Sequence, residues 1–297
     1  MSAKINIKLI VALLIVAIVW GTTYLGIRVA VHTIPPWFVA GMRQCIAALI
    51  LLIILWRKGE FKWIGWGNLR RQMLLSTLMI VIANGMTTVA EKSIPSGLTS
   101  LLNALNPIVV FLGSVAIGLQ RPSLKGFLGV TVGFSGVAFI FRDGLSDLLD
   151  PQYQTGMFCI AIAITGWAAG TIYTKKFTLQ SSNIFLDLFY QFAFSAVVQI
   201  GLAFCLSSEI APENWTLKSL AAVGYLAVFG SVIGYFSYNY ALKKVSATEV
   251  SILSYFNTII ALFLGWLILD EVITIDLLIA TVLIIAGVFI TNYKKRP

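Results

Sequence analysis

Residues 90–107 read AEKSIPSGLTSLLNALNP, and residues 241–258 read ALKKVSATEVSILSYFNT. A shift of 151 places Ala90 on Ala241, Lys92 on Lys243 and Asn106 on Asn257, and carried further it takes Gly136 to Gly287. Earlier in the chain a shift of 147 takes Trp20 to Trp167 and Arg28 to Lys175. One pattern therefore occurs twice, with residues 1–148 as the first copy and 149–297 as the second. If each copy has five membrane spans, an odd number, the second enters the bilayer from the side where the first ended. Antiparallel repeats of this kind make a cavity that can open to either face, which is the logic of a secondary transporter.

Composition supports a membrane setting. Hydrophobic residues are 59% of the chain and charged residues 11%, with a mean hydropathy of +0.91. Soluble domains carry about a quarter charged residues. Lys4 and Lys8 precede an apolar run that continues for about twenty residues without a small-residue cleavage site, so it reads as an uncleaved first span rather than a secretory signal. Cys45, Cys159 and Cys205 sit inside apolar segments with no CxxC spacing, which indicates neither a disulfide framework nor a metal site. No cofactor is implied.

Hydropathy predicts ten spans, each near the roughly 20 residues that cross a bilayer as helix: 8–30, 36–56, 72–91, 95–118, 123–142, 155–174, 184–207, 218–240, 247–269 and 274–293. Lipid offers no partner to backbone polar groups, and the segments are too long and too uniformly apolar for barrel strands, so the fold is all-α. With the N-terminus inside, the inner face receives Lys4, Lys8, five bases in 57–71, Arg121, Lys125, Lys175, Lys176, Lys243, Lys244, Lys294, Lys295 and Arg296. That is sixteen of the 21 bases. The acids Asp143, Asp147, Asp150, Glu209, Glu213, Asp270, Glu271 and Asp276 fall outside. Both termini are thus expected in the cytoplasm. The net charge of +9 is explained by this placement at span ends and does not point to nucleic acid.

Several residues in order carry a family resemblance: Trp20-Gly21-Thr22 followed by Arg28; Arg43 in span two; Ala90 running into Ser93 to Ser96; Asn106-Pro107; then Trp167-Ala168, Tyr190-Gln191, Ala241-Leu242, the Ser246-Ala247 turn, and Gly265 to Glu271. Over nearly the whole chain this resembles the drug/metabolite transporter superfamily, in particular the EamA-type ten-helix carriers. The resemblance implies an alternating-access carrier of amino acids, sugars, nucleotide-derived metabolites or amphipathic drugs, often an exporter in a bacterial inner membrane. One position departs. Thr258 stands where such carriers usually have a proline in span nine, so a broken helix is argued only for span four.

The candidate site residues are polar or aromatic side chains placed deep in spans. Pro107 cannot donate a backbone bond, which frees the carbonyl of Asn103, and Thr99, Asn103 and Asn106 recur at i, i+4 and i+7 beside it. Span nine offers Ser251, Ser254, Asn257 and Thr258 on the corresponding face. Such residues line a hydrated cavity or bond neighbouring helices. Trp20 and Trp167 lie near mid-span, where an indole needs a partner or water, whereas Trp37, Trp56, Trp63, Trp66, Trp215 and Trp266 suit an interfacial belt. Tyr235, Tyr238 and Asn239 in span eight, Asn84 in span three, and Tyr190 and Gln191 in span seven are read as amphipathic walls. Arg43 sits about 10 Å below the outer end of span two; it is a candidate anchor for a substrate anion, or pairs with Glu91, or snorkels outward. Asp187 and Glu249 are expected in interfacial ion pairs. No carboxylate falls at the midplane, and His32 is in an outer turn, so facilitated diffusion or exchange stands beside proton-driven export.

Gly126, Gly129, Gly133 and Gly136 form one smooth face of span five, and Gly166/Gly170 and Gly230/Gly234 are small-residue pairs suited to close packing within a monomer, with a homodimer as the alternative. HExxH, GxSxG and P-loop motifs are absent, as is a TVGYG-like filter, which argues against an enzyme and a channel. The reading is a secondary carrier of small amphipathic metabolites, amino acids or related compounds, in the direction of export. A drug or nucleotide-sugar carrier is the alternative. Its partners are a small-molecule substrate and membrane lipid.

Overall fold

The computed structural model describes residues 7–140, 151–177, 183–207, 210–245, 250 and 253–292. The expectations for Lys4, Arg142, Asp143, Asp147, Asp150, Glu209, the Ser246-Ala247 turn, Glu249, Ser251, Lys294, Lys295 and Arg296 lie outside these residues.

Among the described residues the chain is helical, without strands. In order the helices are α1 (Ile7–Ala30), α2 (Pro36–Arg57), α3 (Trp66–Ala90), α4 (Ser96–Asn103), α5 (Asn106–Ala116), α6 (Leu124–Ile140), α7 (Pro151–Phe177), α8 (Ile184–Leu206), α9 (Leu217–Lys244), α10 (Leu253–Leu269) and α11 (Ile275–Asn292). Seven helical stretches are long and apolar enough to cross a membrane, with α4 and α5 counted together as Ser96–Ala116; α10 and the stretch Ile275–Gly287 of α11 are shorter apolar helices. Their outward faces are apolar too. Ile7, Val11, Leu14 and Ile18 on α1, and Phe256, Ile259, Phe263 and Trp266 on α10, are exposed, as side chains facing hydrocarbon should be.

Local chemistry sets the boundaries. Pro36 opens α2 at a position where a missing N–H costs nothing. The side chain of Asn183 accepts the Leu186 N–H at 3.2 Å to start α8, and Thr216 accepts the Ser219 N–H at 3.2 Å to start α9. Gly118 (φ 73°) follows α5, and Asp270 (φ 55°) follows α10; both take the left-handed conformation that ends a helix. Pro107 has the effect anticipated for span four: the chain turns at Ala104 and Leu105, dividing α4 from α5. Thr258 leaves α10 unbroken, and its hydroxyl bonds the carbonyls of Ser254 (2.9 Å) and Ser100 (3.0 Å).

Two wide π-helical turns were not visible in the sequence. Thr77–Asn84 lies within α3 and Leu226–Ile233 within α9, 149 positions apart from Thr77 to Leu226. A π turn leaves backbone carbonyls without their usual partner. Side chains from other helices take them up, as described below.

Packing follows a paired pattern. Helix α2 lies along α8, and α6 along α11. Helix α1 packs on α9 and α10, while α7 packs on α3 and on α4 and α5. Exchanging α1 with α7, α2 with α8, α3 with α9, α4–α5 with α10 and α6 with α11 leaves this list of neighbours unchanged. The glycine face of α6 meets α11 closely: a methyl on Gly287 would lie 2.3 Å from the Gly133 nitrogen and 2.6 Å from the Gly129 carbonyl. Gly166 and Gly170 likewise abut Leu78, Met79 and Ile82 of α3, and Gly234 abuts the Trp20 indole.

Trp37 departs from the expected interfacial belt. It is buried, and its ring fills the space above Gly85, because α2 turns that face inward against α3 instead of toward lipid.

Candidate functional site

A chamber at the centre of the bundle encloses about 820 Å³ of space free of protein atoms, its open mouth included. Its wall is drawn from α1, α2, α3, α4, α5, α7, α9 and α10.

One side is aromatic. Trp20 and Trp167 meet edge to face at 5.1 Å, and Tyr238 lies 5.2 Å from Trp20 and 5.1 Å from Trp167. Tyr235 completes the group at 5.5 Å from Trp20 and 5.9 Å from Trp167. The polar groups of Trp20, Tyr235 and Tyr238 are bonded outside the cluster. The Trp20 indole donates to the Gly230 carbonyl (3.1 Å) in the second π turn. The Tyr235 hydroxyl donates to the Met79 carbonyl (3.1 Å) in the first. Tyr238 and Thr171 share a hydroxyl bond of 2.8 Å. Both backbone acceptors, at Gly230 and Met79, are carbonyls within the two π turns.

The other side is polar. Asn84, Asn103, Asn106, Ser254 and Asn257 line the chamber. Asn103 donates to the carbonyl of Thr99 at 3.0 Å. The carbonyl oxygen of the Asn106 amide is buried without a bonding partner. With its amide oriented to satisfy its neighbours, Asn257 donates to the carbonyls of Ala17 (2.8 Å) and Leu253 (3.0 Å).

Arg43 is the cation of this wall. Only 2% of it is exposed, its Nε donates to the Ser231 hydroxyl at 2.8 Å, and its Nη1 is buried with no bonding partner. Ser231 in turn donates to Gln44 (3.2 Å), and the Gln44 amide approaches Asn84 at 3.5 Å. Arg43 pairs with no carboxylate among the described residues, so of its three anticipated roles the structure removes the pairing with Glu91 and the outward snorkel. A fixed guanidinium with a spare N–H edge binds a planar anion.

Three anticipated residues lie elsewhere. Thr99 is fully buried and bonds the Pro95 carbonyl. The Tyr190 hydroxyl donates to the Lys62 carbonyl at 3.0 Å, in the turn after α2. Asn239 faces a smaller pocket shared with Asp187, Gln191 and Lys243. There Asp187 accepts a bond from Gln72 (3.1 Å), and Gln72 accepts one from Gln191 (2.6 Å). Wall residues that the sequence reading passed over include Thr23, Tyr24, Ile27 and Thr87. Tyr24 could have been found: it lies four residues beyond Trp20, on the same face of one helix.

Apolar helices around a chamber of rings, amides and one arginine define an integral membrane protein. The model of the EamA-like transporter family matches residues 7–142 and 154–293. The chain belongs to that family, which lies in the drug/metabolite transporter superfamily, and it is a membrane transporter. It is 30% identical to the uncharacterized inner membrane transporter YedA of Escherichia coli (strain K12), over 95% of this chain and 90% of that one. It is 26% identical to the uncharacterized transporter YoaV of Bacillus subtilis (strain 168), over 97% of each. Protein PecM of Dickeya dadantii is 28% identical over 92% of this chain and 89% of its own. A solved crystal structure superposes with a TM-score of 0.69 at 17% identity, covering 96% of this chain and 97% of the other, and shares the fold.

Proposed function

We propose that this protein is a secondary transporter that exports small amphipathic metabolites, amino acids or related compounds, across a bacterial inner membrane by alternating access. The observation that carries the reading is Arg43, buried with an unpartnered Nη1 on the wall of a chamber whose other side is four aromatic rings. A carboxylate would take the guanidinium edge, the amides of Asn103 and Asn106 would bond polar substituents, and the rings would hold the apolar part. Architecture is read in the same spirit: ten spans in two inverted five-helix repeats, 1–148 and 149–297, with both termini in the cytoplasm. The repeated sequence, the exchange of packing partners between halves and the sixteen inward-placed bases support it. Transport would then be a rocking of one half against the other.

The test is counterflow in proteoliposomes with a pooled amino-acid and metabolite panel, comparing wild type with Asn103→Ala. Saturable flux that falls in Asn103→Ala is expected. Equal rates in the two proteins would remove the polar side from the site. A drug carrier is the second reading, favoured by the four clustered rings. An aromatic cation that competes as well as an amino acid would support it over the anion reading, since Arg43 repels cations.

A further inference from the structure

We propose that Glu91 is a proton-binding site that couples transport to a proton gradient, a role that rests on the carrier reading above. Glu91 directly follows α3, four residues beyond Thr87 of the chamber wall, at the outer end of the helix in the proposed topology. It is 0% exposed, and both carboxyl oxygens are buried without a bonding partner. Its own N–H continues the helix by donating to the Thr87 carbonyl at 3.1 Å.

The groups that face it are few. From α1 come Tyr24 and Arg28, one turn apart, and from the turn after α10 comes Glu271. The Arg28 guanidinium does not hold the Glu91 carboxylate. It donates to the backbone carbonyls of Glu91 and, at 3.5 Å, of Ile94. Glu271 is engaged elsewhere: it accepts the Ser96 N–H and hydroxyl (both 2.8 Å) and the Gly97 N–H (3.0 Å) at the start of α4. Helix α7 brings Gly156 to Ser93 and Ile94, α2 brings Trp37 to Gly85, and Arg43 of α2 is turned to Ser231. Lys92, the next residue, is exposed.

A carboxylate shut away from water with no donor is costly, and a neutral acid is not. The arrangement seen here, with Arg28 on carbonyls and nothing on the carboxyl, therefore suits the protonated form. Loss of the proton leaves an anion beside a cation that needs only to leave two carbonyls to reach it. That move would take Arg28 off the 91–95 turn, and so rearrange the contact between α1 and the end of α3. The same two turns of helix line the chamber through Tyr24 and Thr87, which places substrate and proton within one turn of each other. The proton adds to one carboxylate oxygen from outer water and departs to water admitted by the chamber when the opposite face opens. A sodium ion is a poorer occupant, since the other nearby carboxylate, Glu271, is already bonded three times.

Infrared spectra of the full-length protein in detergent provide a readout that needs no substrate. Wild type should show the carbonyl band of a buried neutral carboxylic acid that disappears as pH rises, is lost in Glu91→Gln and survives in Glu271→Gln. No such band in wild type, its survival in Glu91→Gln, or its loss in Glu271→Gln alone would overturn the proposal. In proteoliposomes loaded with the mixed amino-acid panel, wild-type flux should respond to a pH step across the membrane and not to a sodium step. A pH response that persists in Glu91→Gln, or in the shorter acid-free Glu91→Ala, would also overturn it. Wild type without saturable flux would count against the carrier reading, while the infrared result would still decide the proton site.

Discussion

Arg43 concentrates the chemistry of the chamber in one side chain. Its Nε is fixed by Ser231 and its Nη1 remains for a ligand. A hydrogen bond to a charged group is worth about 1.5–3 kcal/mol, or about ten- to a hundredfold in affinity. Arg43→Gln should therefore weaken competition by free amino acids by about that factor. Competition by their amide-capped derivatives, which lack the carboxylate, should hardly change; inhibition of counterflow measures both. Equal losses for the two ligand sets would leave Arg43 as a structural residue. Tyr235 is a second test at this scale. Tyr235→Phe removes the donor to the Met79 carbonyl, and interhelical bonds in membranes average about 0.6 kcal/mol with a maximum near 1.7. A fall in thermal stability within that span, read by unfolding in detergent, is expected; none at all would mean that the π-turn carbonyl is satisfied otherwise. Sequence spacing located Trp20, Trp167, Asn103 and Asn257 at the chamber because depth in a span is readable from residue count. It placed Tyr190 on a chamber wall, whereas its hydroxyl bonds the Lys62 carbonyl, because a position counted along a span fixes depth and not rotation.

At the scale of single helices, departures from regular winding position the site. The break at Ala104-Leu105 divides α4 from α5, yet Asn103 before it and Asn106 after it both reach the chamber. Pro107 announces that break in the sequence. The π turns at Thr77–Asn84 and Leu226–Ile233 contain no proline, and their extra residue is stabilised by bonds from other helices, so local sequence carries no sign of them. Close packing of α6 on α11 offers a sharper test. Gly287→Ala puts a methyl 2.3 Å from a backbone nitrogen, an overpacking that costs typically about 1–3 kcal/mol. Gly201→Ala, with open space around it, should leave stability unchanged. Thermal unfolding of the two variants side by side checks the pair, and equal midpoints would refute the tight α6–α11 contact.

For the whole molecule, the exchange of packing partners between halves would, in the proposed architecture, let one chamber serve two sides of a membrane. A carrier built this way would pass solute only by changing state. Planar bilayers containing the protein should show no voltage-driven current that rises without saturation; such a current would replace the carrier by a channel. The helical membrane class and the family were legible in the sequence alone, because apolar length and residue order are one-dimensional properties that lipid reads directly. Only the tertiary structure decided which polar groups share a chamber, that Trp37 is buried, that Arg43 lacks a carboxylate partner and that Glu91 is sealed away from water. Those are facts of rotation about helix axes and of contact between distant segments. Each is set by close packing across helices that local sequence does not encode.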